Sequence, residues 1–285
     1  MGITLDGVGF TYLPGTPMAR AALDGVDLSL AEGETVCLMG ASGSGKTTLL
    51  GIAAGMLAPA RGRVLLDGHR VDDSPSGVRR LRRAVGILFQ SPQRQLFAET
   101  VEKDVGFGPR NRGLRGRALS QRVREAMGMV GLDADTYSMR SPFTLSDGEM
   151  RRAALAGVLA MKPRFLLLDE PSSGLDAPGR RLFHGLVAEL KREGIGILVV
   201  THDWEEVEAL ADRVEIIAGG RIVNAGDPGS AAANARLLSQ AGLIPPPAMR
   251  LLDLLRERGL DLPARATSPR EAAALIARAL GGGER

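Results

Sequence analysis

The sequence predicts an α/β fold: an N-terminal antiparallel β-subdomain, a mixed central sheet, an inserted α-helical subdomain and a small C-terminal helical appendage. Three observations predict it. Short, wholly apolar runs recur between helical stretches, the pattern of strands covered on both faces by crossover helices. The first thirty residues instead alternate apolar and polar side chains, as half-buried antiparallel strands do. Beyond residue 228 the composition shifts to Ala, Leu, Arg and Pro, with Pro245-Pro246-Pro247 interrupting it.

A chain of 285 residues with 44% apolar side chains has the length and the apolar content for one large domain plus an appendage. Its charged fraction of 24% fits a water-exposed surface. No run of eighteen apolar residues occurs, and no basic segment followed by an apolar stretch opens the chain, so neither a membrane span nor a signal peptide is expected. The single cysteine, Cys37, lies inside an apolar strand and reads as a small buried hydrophobe. Net charge is only +3, but arginines clump at 79, 80, 82 and 83 and again from 110 to 124. These runs read either as a solvated face or as a surface near anionic headgroups. Aromatics make up 4% of the chain and do not interleave with the basic runs, which argues against a nucleic-acid stacking platform.

Taken in order, Ile3–Leu5, Val8–Tyr12 and Ala22–Leu30 read as antiparallel strands with turns at glycines and at Pro14-Gly15. Thr35–Met39 is a buried strand, and Thr47–Ala54 the first turns of a helix. Arg63–Val71 forms a hairpin around Asp67-Gly68. Val85–Phe89 is a second buried strand ending at Gln90, after which Ser91-Pro92-Gln93 breaks the run. An amphipathic helix spans Arg117–Val130, with Leu119, Val123, Ala126, Met127 and Val130 on one side. Ser146 caps a helix that runs through Met161, with Glu149 completing a capping box. Phe165–Leu168, closed by Asp169 and Glu170, and Gly196–Asp203 are buried strands flanking a helix from Pro178 to about Glu193. A Gly219-Gly220 hairpin follows, and two helices, Ala248–Arg258 and Ser268–Leu280, close the chain, the second capped by Ser268.

Between the strand at Met39 and the helix at Thr48 lies Gly40-Ala41-Ser42-Gly43-Ser44-Gly45-Lys46-Thr47-Thr48. It fits G-x-x-x-x-G-K-[ST], the phosphate loop of a P-loop nucleotide-binding domain. Glycines let the backbone wrap an anion, and the N–H groups plus the helix N-terminus supply positive potential. Lys46 adds a point charge for the β- and γ-phosphates, and the Thr47 hydroxyl can ligate Mg²⁺. Asp169 and Glu170 close an apolar strand at the end where ligands sit in open α/β sheets. One carboxylate there can hold Mg²⁺ through water, and the other can polarise an attacking water. Gln90 and His202, at two further strand ends, are placed to sense the metal or the attacking water and to reach the γ-phosphate. Tyr12 either stacks its ring on a base or packs within its strand.

The chain resembles the ATP-binding subunits of ATP-binding cassette transporters. The motifs stand in that family's order: Tyr12 as the base-stacking aromatic, Gly40–Thr47 as Walker A and Gln90 as the Q-loop. Leu145–Glu149 then matches the signature, Phe165–Glu170 Walker B, Ser172–Asp176 the D-loop and His202 the switch histidine. The resemblance implies a nucleotide domain over residues 1–228, with its helical subdomain over about 91–158. The extension over residues 229–285 would serve cassette dimerisation. It implies MgATP as substrate, with Thr47, Gln90 and Asp169 toward the Mg²⁺ and Glu170 as general base. It further implies a head-to-tail pair with a second, identical or different ATPase subunit. Each ATP would then meet the partner's signature, here Ser146, Asp147, Gly148 and Glu149, with Asp176 and His202 coupling the two sites.

A narrower resemblance, to energy-coupling factor and cobalt- or nickel-type importer ATPases, rests on Phe89–Phe97, Thr100–Pro109 and the tail around Gly242–Pro247. It implies a peripheral subunit on the cytoplasmic face of the cell membrane. Such a subunit docks on a membrane T-component and powers uptake of a vitamin or transition-metal ion chosen by a separate membrane protein. Four departures stand out: Asp147 replaces a signature glycine, Glu149 the signature glutamine, Ser173 a common D-loop alanine, and Gln93 an acid common in that subfamily. Two extra carboxylates near a γ-phosphate repel it unless they point away. They read either as tolerated drift or as a weakened site in a heterodimer. Rival readings are a cassette ATPase of DNA repair or translation and an exporter cassette. The first usually carries two cassettes or a long coiled-coil insertion, whereas only about a hundred residues without heptads separate Lys46 from Leu145.

Overall fold

The two kinds of apolar pattern fold into two different sheets. The computed structural model describes residues 1–91, 95–263, 266 and 269–281. Pro92, Gln93, Arg94 and the expected cap Ser268 therefore lie outside the described residues. The alternating N-terminal segments form β1 (Gly2–Tyr12) and β2 (Arg20–Ala31), and the later hairpin β4 (Arg61–Leu66) and β5 (His69–Arg70). Together they make an antiparallel sheet in the order β2-β1-β4-β5. The expected break between Leu5 and Val8 is a register shift within one continuous strand. Asp67 and Gly68 both adopt positive φ, as a two-residue hairpin turn requires.

The wholly apolar runs form β3 (Thr35–Met39), β6 (Val85–Leu88), β7 (Phe165–Asp169) and β8 (Gly196–Val200). With β9 (Arg213–Ala218) and β10 (Arg221–Gly226) they make a second sheet, ordered β10-β9-β3-β8-β7-β6. Every pairing in it is parallel except β9 with β10. Alternate residues of these strands enter opposite cores, as a period of two dictates. Phe165 and Leu167 join the β1, β2 and β4 side chains, whereas Leu166 and Leu168 pack under the helices.

The helices are α1 (Lys46–Ala53), α2 (Pro75–Ala84), α3 (Val101–Val105), α4 (Phe107–Asn111), α5 (Gly116–Met129), α6 (Ala134–Tyr137) and α7 (Asp147–Leu159). After β7 come α8 (Ala177–Arg192), α9 (Trp204–Leu210), α10 (Pro228–Ala232), α11 (Ala235–Gln240), α12 (Pro247–Glu257) and α13 (Pro269–Gly281). Helices α3 to α7 form the inserted helical block, with Val123, Ala126 and Met127 of α5 buried against it. Ala231, Ala232, Leu238, Ala241 and Leu243 belong to the core of the parallel sheet. Among the described residues, α12 and α13 build a separate cluster around Met249, Leu252, Leu262, Ala266 and Ala272. Among the described residues no helix is long and apolar enough to cross a membrane.

Candidate nucleotide site

Four adjacent strands, β3, β8, β7 and β6, run parallel, so their C-terminal ends open on one edge of the sheet. The phosphate loop leaves β3, His202 follows β8, Asp169 and Glu170 end β7, and Gln90 follows β6. Together they line a cleft of about 620 Å³ with Tyr12 at its mouth. Residues separated by more than a hundred positions meet there because a parallel sheet delivers all its strand ends to one side.

Two glycines make the loop possible. Gly45, the N-cap of α1, sits at φ 114°, and a Cβ there would lie 2.6 Å from the Ala22 carbonyl oxygen. A Cβ on Gly40 would come within 2.4 Å of the Ile217 carbonyl oxygen. Lys46 Nζ donates to the Gly40 and Ala41 carbonyls at 2.7 and 2.8 Å, spanning the turn. Burial lowers the Lys46 pKa, and the carboxylates of Glu170 and Asp169 work against that. Thr48 Oγ1 and the Tyr12 hydroxyl are hydrogen-bonded at 3.0 Å, fixing the Tyr12 ring beside α1 with 42% of the residue exposed.

The two acids at the end of β7 face different partners. Asp169 is buried and accepts from the Thr47 hydroxyl at 3.1 Å, and burial raises its pKa against that hydrogen bond. Glu170 turns the other way: it accepts from Gln90 Nε2 at 3.0 Å, and His202 Nδ1 lies 3.4 Å from its second oxygen. Glu170 has φ 48°, in the left-handed region. For a residue with a Cβ this costs about 1–2 kcal/mol, held here by the surrounding structure. Its N–H donates to Val200 O on β8 at 2.9 Å, and its carbonyl accepts from Arg151 on α7 at 3.0 Å.

The hard oxygens of Thr47 and Asp169 lie next to a loop shaped for phosphate. Mg²⁺ favours such a set, usually taking one or two protein ligands and completing its shell with phosphate oxygens and water. The residues present fit it.

Ser146 caps α7, its hydroxyl accepting from the Glu149 N–H at 3.4 Å. Glu149 is folded back onto the same cap: it accepts from Ser146 N and Oγ, both at 2.8 Å, and from the Tyr137 hydroxyl at 2.7 Å. The Tyr137 bond leads the causes that drop its pKa to about 2. Asp147 and Gly148 open the helix beside it. None of Ser146 to Glu149 lines the cleft, so within one chain the structure does not bring them to the phosphate loop. Asp176 caps α8, accepting from the Gly179 N–H at 2.8 Å.

The profile of the ABC transporter family matches residues 23–173, from β2 to just past β7. The chain belongs to this family. It is 44% identical to the energy-coupling factor transporter ATP-binding protein EcfA2 of Symbiobacterium thermophilum, over 99% of this chain and 98% of that protein. Its fold is similar to that of cbiO1 from Clostridium perfringens, part of the ABC transporter complex cbiONQ. That match has a TM-score of 0.72 and 33% identity, over 90% of this chain and 96% of the other. A dimeric ATP-binding cassette in a post-hydrolysis state, bound to ADP and Pi, matches with a TM-score of 0.73 and 28% identity. It covers 79% of this chain and 98% of that one. The α/β architecture and the resemblance to energy-coupling factor ATPases agree with these findings, and the chain is an ATPase of the ABC transporter family.

The cleft also has walls that the sequence patterns do not mark in this ABC ATPase. Arg20 stands directly across from Tyr12 in the β1–β2 pair and reaches over Gly43 of the phosphate loop. Gly242, Leu243 and Ile244, just beyond α11, close the cleft from the opposite end of the sequence. The Ile244 carbonyl accepts from the Trp204 indole at 3.0 Å, and Gly242 packs against Ala41. A strand-pairing register was the one available signal for Arg20. Nothing local signals the 242–244 segment.

Proposed function

We propose that this chain is the ATP-hydrolysing motor of an energy-coupling-factor importer, working as one of two cassettes attached to membrane subunits. The observation that carries the reading is the convergence of Gln90, Asp169, Glu170 and His202 on one phosphate loop in a single cleft. Tyr12 stacks on the base. The N–H groups of residues 40–48 and the Lys46 ammonium bind the phosphates. Thr47 and Asp169, with Gln90 at the edge, would hold Mg²⁺, which would supply positive charge against the phosphates. Glu170 takes the proton of the attacking water, His202 holds the γ-phosphate side in register with it, and Gln90 orients the Glu170 carboxylate.

Ser146 and Gly148 complete the site of a second ATPase subunit. Glu149 is turned into its own helix cap, so its charge is spent on Tyr137 and Ser146. Asp176 links the two sites. The apolar face between α12 and α13, a depression of about 530 Å³ lined by Leu251, Ile276 and Leu280 among others, supports the 229–285 extension as a dimerisation element. A groove of about 370 Å³ beside the Q-loop is walled by Met56, Phe97, Phe107 and Met161. Its exposed Phe97 and Phe107 rings, in edge contact at 4.8 Å, support docking of a membrane T-component at the cytoplasmic face. The imported solute, a vitamin or transition-metal ion, passes through separate membrane subunits and does not touch this chain.

Glu170→Gln tests the catalytic part. The variant is expected to bind MgATP as the wild type does while turnover in the membrane complex falls by about a hundredfold or more. Turnover near the wild-type rate would remove Glu170 as the base. Recovery of a polytopic membrane protein with the tagged chain tests the transport part, and its absence would favour a cassette ATPase without a membrane partner.

A further inference from the structure

Helix α7 is hydrogen-bonded to the backbone just past β7 through Arg151. Arg151, half-buried five residues after the Ser146 cap, donates from Nη1 to two consecutive carbonyls, Glu170 at 3.0 Å and Pro171 at 2.9 Å. It forms no ion pair among the described residues, so its hydrogen bonds go to backbone rather than to a carboxylate. They are the carbonyls of Glu170, the one non-glycine residue among the described cleft-lining residues with a left-handed backbone, and of the residue that follows it. The N–H side of Glu170 is tied to β8 through Val200, and the carbonyl side to α7 through Arg151. A guanidinium suits this position because the two hydrogens of one planar nitrogen reach adjacent oxygens while the carboxylates of Asp147, Glu170 and Glu206 favour its charge.

We propose that Arg151 is a positioning residue: it sets the orientation of Glu170 and ties it to the helix whose N-terminus meets the partner's ATP. Ser146 and Arg151 ride on one helix, about 7.5 Å apart along its axis. A shift of α7 when its N-terminus engages the opposite nucleotide therefore moves the Glu170 carbonyl with it. Hydrolysis in one site is thereby made to depend on whether the same chain's signature is engaged in the other. The inference rests on Glu170 acting as the base.

The test uses the complex recovered from membranes, with Arg151→Gln, Arg151→Lys and Glu170→Gln made in parallel. Displacing a reacting group by about 1 Å costs on the order of a hundredfold in rate. Arg151→Gln is accordingly expected to lower kcat by about ten- to a hundredfold with KM for MgATP and the unfolding midpoint unchanged. Arg151→Lys, which keeps a donor and the charge, is expected to regain part of that loss. An unchanged kcat in Arg151→Gln overturns the proposal. So does a fall in kcat matched by a rise in KM and a lowered midpoint, which marks a merely structural role. Should Arg151→Gln fail to fold, Arg151→Lys decides by the same split of kcat from KM. Full turnover in Glu170→Gln would remove the base assignment, and this proposal with it, whereas its loss alongside an unaffected Arg151→Gln removes the proposal alone.

Discussion

Tyr137 and Ser146 hold the Glu149 carboxylate by three hydrogen bonds, so the residue that departs from the usual signature glutamine has a structural partner for its charge. Its lowered pKa gives a sign to the pH dependence. The stabilisation is fully present above the ordinary value of 4.5 and is lost as the pH falls toward about 2. Glu149→Gln is expected to cost about 1 kcal/mol at pH 7. Denaturant titrations at pH 7, 5 and 3 should show that difference shrinking below pH 5, and a pH-independent cost would mean that the charge contributes nothing. The Ser146–Glu149 box was legible because capping is a local pattern. The Tyr137 hydroxyl was not, since it arrives from a separate helix twelve residues away. Arg20 and Arg151 escaped sequence reading for the same reason: each acts through a backbone neighbour that only the folded chain provides.

Among elements, the wholly apolar strands and the long helices were legible and the short helices were not. The buried strands β3 and β7 and helices α5, α7 and α8 lie within two residues of their expected bounds, while β8 ends at Val200, three residues short of the expected Asp203. Helices α3 and α4 have five residues each, too few to display a period of 3.6. The longer α2 is dominated by arginines, with only Gly77, Leu81 and Ala84 buried. The approach of β6 to α7 depends on Gly86, where a Cβ would come within 2.6 Å of Val158 and 3.0 Å of Pro163. Gly86→Ala is therefore expected to destabilise by about 1–3 kcal/mol through overpacking. Its urea midpoint should fall, with the m-value retained. A neutral result would mean that α7 moves aside freely.

At the scale of the molecule, Arg164 binds Asp67 through two nitrogens, at 2.8 and 2.9 Å, and Glu32 at 2.7 Å. It thus fastens the antiparallel sheet to the start of β7. The groove at Phe97 and Phe107 shares no lining residue with the nucleotide cleft, though Phe89 of the groove is followed directly by Gln90 of the cleft. Replacing either ring by Asp is expected to abolish co-recovery of the membrane partner while MgATP binding stays within about twofold, since a charge in an apolar contact costs several kcal/mol. Co-recovery unchanged in both variants would move the docking surface elsewhere. The overall arrangement of sheets and helical block was legible from the two strand patterns. The path of the chain after β10 was not, because its packing is set by Trp204, Ala41 and the parallel-sheet core rather than by neighbours in sequence. That path fixes where the chain can be shortened. A protein ended at Ala241 would lose a wall of the cleft together with α12 and α13, so a truncation aimed at dimerisation has to end beyond Ile244 to leave nucleotide binding intact.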